Sequence, residues 1–204
     1  MAGPAQVEIE IVTQSSPMPN WQDLPAPVPP QITINGEALP QPSNGPAWTP
    51  NGTQVVVFPS SADLTDPSNI ISNLYQPLAN MQGSWAQSYR WMYDNIARQI
   101  MSSGDVEQQI VLVATFGLDV EMVPTAAPFE LFLNLGAGKQ LQGWGLLPSV
   151  SEGGYFIEYP ANYALIGNSA YGYGEGFEQC DYTTSDTNPI KTTLTATIDN
   201  PGAS

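Results

Sequence analysis

The sequence predicts an α+β fold, a mostly antiparallel core of two sheets with flanking helices, preceded by an extended proline-rich arm. Three observations carry that prediction. Apolar and polar residues alternate at Val7, Ile9 and Ile11 and again at Leu194, Ala196 and Ile198, the period of a strand with one buried face. The runs TQVVVFP and QQIVLVATF are apolar almost throughout, as in strands covered on both sides. Between them, Trp85, Tyr89, Met92, Tyr93, Ile96 and Ile100 recur with the spacing of an amphipathic helix.

Taken in order, the first strand spans Val7 to Val12. The segment from Ser15 to Pro30 then carries Pro17, Pro19, Pro25, Pro27, Pro29 and Pro30. Each proline removes a backbone donor, so this is an arm rather than a helix or a central strand. Ile32 and Ile34 before Asn35-Gly36, with Ala38 and Leu39 after it, predict a hairpin, because Asn-Gly accepts the positive φ angles of a type I′ turn. QPSNGPAWTPNG reads as loop, and the strand TQVVVFP stops at Pro59.

Asp66-Pro67 is a helix-start signal, which predicts a short helix with Ile70, Ile71 and Leu74 inward, ending at Pro77. The clearest helix covers Ser84 to Ser102. Arg90 and Asp94 pair at i,i+4 on its solvated face together with Arg98. A further helix runs from Thr125 to Leu135 with Phe129, Phe132 and Leu133 inward, and Gly136 supplies a left-handed stop. YFIEYP and NYALIG read as strands, YGYGEG as a loop, and KTTLTATID as a final edge or docking strand. The chain thus divides into 1–50, holding strand, arm and hairpin, 51–182 as the main domain, and 183–204 as tail or edge strand.

Composition narrows the function. With 204 residues, 42% of them hydrophobic, the chain can bury one sizeable core. Four cations against 19 acids give a net charge of -15, so polyanions meet repulsion and neither nucleic acid nor an anionic membrane is an expected partner. Only 11% of residues are charged, which leaves a neutral polar surface suited to an exterior protein. The start, MAGPAQVEIEIV, lacks the pattern of a cleavable signal peptide. An extracellular or virion-surface location is expected.

The chain has no histidine and a single cysteine, Cys180. That removes Ser-His-Asp and Cys-His catalysis, the common zinc sites and an internal disulfide. Cys180 reads as a buried inert thiol. No cofactor motif survives inspection either. Gly136-Ala137-Gly138-Lys139 lacks the spacing of a phosphate loop, with Leu133 and Gln140 where a glycine and a hydroxyl residue are needed, and reads as a helix cap. Gly172, Gly174 and Gly176 miss the dinucleotide fingerprint because Phe177 stands at the third position.

Carboxylate pairs remain the one catalytic chemistry available. Glu175, Glu178 and Asp181 lie close together in sequence, but no spacing makes them a glycosidase pair. With Asp186 they also offer oxygen ligands for calcium, without EF-hand spacing, and no metal site is assigned. Asn51-Gly52-Thr53 is a glycosylation sequon that reads as coincidence. Tyr171 to Tyr182 combines aromatics and glycines; such rings suit sugar or protein recognition, or else pack along a twisted edge.

GTQVVVF, GDVEQQIVLVATFGLD, ELFLNLGAG and YALIGNSAYGYGEGFE, in that order, resemble the interleukin-like EMT inducer domain, a module of secreted cytokine-like proteins and of the stem of an O-mannose glycosyltransferase. The resemblance covers Thr53 to Glu178. It implies a compact fold of two antiparallel sheets with helices, no catalysis, and binding to glycans or proteins. Two departures stand out: a lone cysteine cannot make the disulfides of the animal members, and Leu146 to Ala161 looks inserted.

The expectation is therefore a non-enzymatic module that binds a glycan or protein surface through Trp144, Tyr171, Tyr173, Glu175, Phe177 and Glu178. One alternative is a structural accessory protein of a phage virion or other exterior assembly, meeting assembly subunits through the proline-rich arm and the C-terminal strand. The other is a glycosidase working through Glu175 and Glu178.

Overall fold

The computed structural model describes residues 3–15, 28–42, 51–78, 85–105, 109–119, 123–146, 151–152, 155–156, 160–183 and 189–203. Its strands, in chain order, begin with β1 (Gln6–Ser15), β2 (Gln31–Ile34), β3 (Glu37–Ala38), β4 (Gly52–Pro59) and β5 (Ser72–Pro77). Helix α1 (Trp85–Ser102) precedes β6 (Gln109–Phe116) and β7 (Leu118–Asp119), then come α2 (Ala127–Asn134) and α3 (Lys139–Gly145). The chain continues through β8 (Ser151–Glu152), β9 (Tyr155–Phe156), β10 (Pro160–Asn168), β11 (Phe177–Tyr182) and β12 (Ile190–Asp199). The arm predicted over Ser15 to Pro30 falls largely on residues 16–27, outside the described residues.

Two antiparallel sheets and a helical layer are stacked on one another, so the α+β prediction holds. The outer sheet has the order β12-β1-β2-β3, and the central one β11-β10-β6-β4-β5, with β7 beside β10. β8 and β9 form a separate small ribbon. Residues before 51 and after 182 build the outer sheet entirely, while 51–182 builds the central sheet and the helices.

The sequence patterns follow from this layering. β1 and β12 are covered on one face, so Val7, Ile9, Ile11, Leu194, Ala196 and Ile198 point inward and their neighbours outward. These residues meet Val56, Phe58, Ile110, Leu112, Ala114 and Ile166 of the central sheet. The opposite face of the central sheet, with Val55, Val57, Val111, Val113 and Leu165, packs on Met92, Tyr93, Ile96, Phe132 and Leu141 of the helices. β4 and β6 are therefore apolar on both faces over Val55–Phe58 and Ile110–Ala114. Every residue of β6 is buried.

The Asn35-Gly36 hairpin forms as predicted, with φ of 50° and 80° at its two central residues and Thr33 opposite Ala38. Asn35 also ties the turn to β1, its N–H donating to Glu8 O at 2.8 Å and its side chain accepting from Glu8 N at 2.9 Å.

The helix predicted after Asp66-Pro67 does not form. Asp66 does cap, accepting from Ser68 N at 2.9 Å, but a single 3-10 turn, Pro67–Asn69, follows. The chain then extends as β5 because the exposed ladder of β4 offers it pairs from Ser72↔Val57 to Pro77↔Gly52. Asn73 and Tyr75 turn inward in place of Ile71 and Leu74, while Ile70 packs partly buried against the core between the sheets as expected. The predicted Arg90–Asp94 ion pair is likewise not among the described contacts; Arg98 instead donates to Asp94 O at 3.2 Å.

β6 and β10 carry a one-residue bulge. Ala114 pairs with Ala164, but Leu118 pairs with Ala161, which leaves one extra residue on the β6 side. The Thr115 hydroxyl fills the gap, accepting from Tyr163 N at 2.7 Å, and Gly117 takes a φ of 60° while its N–H donates to Ser15 Oγ at 2.7 Å. The Asn51-Gly52-Thr53 sequon is buried in the same layer, with Asn51 7% exposed and Thr53 inaccessible.

Candidate functional site

The aromatic loop joins β10 to β11 and lies across the turn between α2 and α3. Gly176 N donates to Gly136 O at 2.9 Å, Gly174 N to Ala137 O at 3.2 Å, and Asn168 N to Leu135 O at 3.0 Å. These bonds need backbone against backbone. A Cβ on Gly138 would stand 2.6 Å from Gly174 Cα, and one on Gly136, whose φ is 95°, would stand 2.8 Å from Gly176 N. The glycines of both motifs thus bring the chain close to itself rather than to a ligand.

Glu178 closes this junction from β11. One oxygen accepts from Gly138 N and Gln140 N, both at 2.9 Å. The other accepts from Leu141 N at 3.1 Å and from the Tyr163 hydroxyl at 2.8 Å. α3 begins at Gly138 without a side-chain cap of its own, and Glu178 supplies the acceptor its first N–H groups lack. The Gly136 to Lys139 segment caps the end of α2 as read, with a φ of 95° at Gly136 and its N–H donating to Leu133 O at 3.0 Å. It also opens α3, a helix not expected from the sequence, whose acceptor is an acid forty positions later in the chain.

Behind Glu178, Tyr163 stacks between Trp144 and Phe132, with ring centroids 5.9 and 6.4 Å away. Burial, then the Glu178 charge, pushes the Tyr163 hydroxyl well above its ordinary range. Burial likewise raises the Cys180 thiol to about 12, with Asp181 and Glu178 adding to it. Cys180 is free and half-buried.

Two of the six predicted ligand-binding residues are corrected by this geometry. Trp144 is 1% exposed and belongs to the helix-side core, because its place on α3 turns the indole toward Tyr163 rather than outward. Glu178 has both oxygens engaged by backbone N–H groups of α3 and by the Tyr163 hydroxyl, which gives it a structural part at this junction. Sequence reasoning missed Tyr163, whose ring organises that interior. The sequence did signal the part played by Glu178, since a Gly-x-Gly turn opening a helix leaves N–H groups that require an acceptor, but not that of Tyr163, which donates to Glu178.

The remaining four stay at the surface. Tyr173 is 56% and Phe177 38% exposed. Tyr171, half-buried, meets Phe177 edge-on with centroids 6.2 Å apart, and burial, then Asp199, raises its hydroxyl above the ordinary value. Glu175 is exposed and closes the loop tip by accepting from Gly172 N at 2.8 Å. Its second oxygen is directed to no described donor. The patch therefore presents two rings, a third at its edge and one carboxylate on a backbone fastened at three points.

Among the described residues, no three Asp, Glu or Cys side chains gather as a metal site, and no helix is long and apolar enough to cross a membrane. No protein-family model matches the chain, and no curated protein matches it.

Proposed function

We propose that the chain is a non-enzymatic binding module of an exterior location, and that Tyr171, Tyr173, Glu175 and Phe177 recognise a neutral ligand, a glycan. The observation that carries this reading is the loop itself. Exposed aromatic rings stand on a backbone whose conformation is already fixed by the Gly136–Gly176 and Ala137–Gly174 bonds. A ligand stacking on Tyr173 and Phe177 then meets little ordering cost. Rings of this kind take the apolar face of a sugar while Glu175 accepts a hydroxyl. The net charge of -15 disfavours an anionic ligand.

The resemblance to the interleukin-like EMT inducer domain is part of this proposal. Its stretch, Thr53 to Glu178, covers most of the central sheet and all three helices, whereas the outer sheet lies outside it. A glycan array followed by calorimetric titration tests the proposal. Tyr173→Ala is expected to weaken binding about tenfold, the loss of about 1.4 kcal/mol that one ring contact contributes. A flat array, or affinity unchanged in both Tyr173→Ala and Phe177→Ala, sinks it.

A further inference from the structure

β12 is the last strand of the outer sheet, and among the described residues it pairs with β1 alone, from Ser15↔Ile190 to Gln6↔Asp199. The ladder fixes where its other backbone groups point. Asn35 N donates to Glu8 O at 2.8 Å, so the even-numbered residues of β1 bond toward β2 and the odd-numbered ones toward β12. Asn200 N donates to Ala5 O at 2.9 Å, which continues that second ladder. The even-numbered residues of β12 therefore serve β1. Lys191, Thr193, Thr195, Thr197 and Asp199 direct their N–H and C=O groups away from the sheet, and their side chains are exposed.

A long strand edge of this kind is a template for another strand, and the sequence of β12 selects which. The positions that continue the outward series at its two ends are Pro189 and Pro201, which have no N–H. They lie equally far from Thr195. An antiparallel copy of β12 centred there sets Thr195 against Thr195, Thr193 against Thr197 and Lys191 against Asp199, so that every outward N–H meets a carbonyl. In each neighbouring antiparallel register Pro189 or Pro201 enters the ladder, and a carbonyl goes without its donor.

The side chains agree with that register. Lys–Asp and Thr–Thr are both favourable cross-strand pairs, and Lys191, one of only four cations in the chain, stands where it meets an acid of the second copy. Asp199 is already steadied across β1 by Gln6 Nε2 at 3.2 Å. On the inner face, Leu194, Ala196 and Ile198 keep 8%, 6% and 6% of their surface, whereas Ile11, Ile9 and Val7 opposite them keep 0%, 0% and 1%. One more strand beside β12 covers that remainder. We infer that β12 is a dimerisation edge for a second copy of this chain, antiparallel about Thr195, which joins two outer sheets into one across a two-fold axis. Two acidic chains repel at long range, but at physiological salt that repulsion is screened beyond about 8 Å, whereas Lys191 and Asp199 of the second copy are adjacent.

Sedimentation velocity of the full chain over a concentration series tests this. A monomer–dimer equilibrium is expected below about 1 mM. Lys191→Asp and Asp199→Lys each weaken it about tenfold when alone, since both ends of the ladder then oppose like charges. Mixed in equal amounts, the two variants restore it as a heterodimer, because each strand brings the charges that the other opposes. Amide hydrogen exchange at Thr193, Thr195 and Thr197 of the unaltered chain slows as the dimer fills. A chain that stays monomeric up to about 1 mM overturns the inference. So does a dimer that the single reversals leave intact or that their mixture fails to restore, or one whose outward threonine amides exchange as fast as in the monomer. Both altered positions are exposed, and the exchange measurement needs neither variant.

Discussion

The β2–β3 hairpin, with one glycine, and the loop over residues 169–176, with three, are both short surface turns, and they are held in opposite ways. At the hairpin, Asn35 and Gly36 satisfy a local demand for positive φ, and a Cβ on Gly36 would meet nothing within 4 Å. At the loop, Gly176 has almost no conformational reason to be glycine. It is there because Gly136, forty positions earlier, must lie against it, as Gly138 must against Gly174. One glycine is chosen by its own backbone and the other by a distant one. The first kind tolerates a side chain at the cost of strain, while the second requires two segments to separate.

Glu178 gives the widest test of that contrast. Glu178→Gln keeps the size but turns a donor toward the N–H groups of α3, and a loss of about 3 kcal/mol is expected in urea unfolding. A smaller change than that of Gly36→Ala would break the comparison. Gly138→Ala follows, at about 2 kcal/mol, since the new methyl must displace the loop backbone; glycan binding at the loop is expected to fall with it. Gly36→Ala comes next at about 1 kcal/mol, the strain of a left-handed alanine, with loop binding intact. Tyr173→Ala should leave stability within about 0.5 kcal/mol, as an exposed position does, while binding is lost. Calorimetry run beside each unfolding curve reads both quantities.

The smallest effect is confined to alkaline solution. The Cys180 thiol is raised from 9.0 to about 12, so above pH 9.0 the folded chain keeps a proton that the unfolded chain has released. Its contribution is complete below pH 9.0 and is lost as pH rises toward the folded value. The raised Tyr163 acts in the same direction from its own ordinary value of 10.0 upward. Cys180→Ala is expected to remove the part of the decline that begins nearest pH 9, measured as urea midpoints between pH 8 and pH 11. A slope identical to that of the unaltered chain would place the thiol in solvent.

These cases also show what was legible in the sequence. The hairpin, α1, β4 and β6 were, because turn chemistry and hydrophobic period act within a few residues. Asp66 was read correctly as a cap, yet the helix after it was not formed, since β5 gains a ladder from a β4 edge that local spacing does not display. Trp144 and Glu178 carry the residue types of a binding site and serve the interior instead. Their partners, Tyr163 and the N–H groups after Gly138, are brought to them only by the fold. Tyr171, Tyr173, Glu175 and Phe177 kept the surface positions expected of them because the glycines around them bind inward.

The pairing of β1 with β12 sets a condition on how the molecule is made. Gln6 lies opposite Asp199, 193 positions away, so a ribosome delivers Val7, Ile9 and Ile11 long before Leu194, Ala196 and Ile198 exist to sit beside them. The central sheet and its helices can close earlier; the outer sheet cannot. Such distant pairing slows folding and leaves an apolar strand edge open in the interval. The nascent chain therefore passes through a stage in which one half is built and the other half waits, and its yield depends on what shields β1 during that wait.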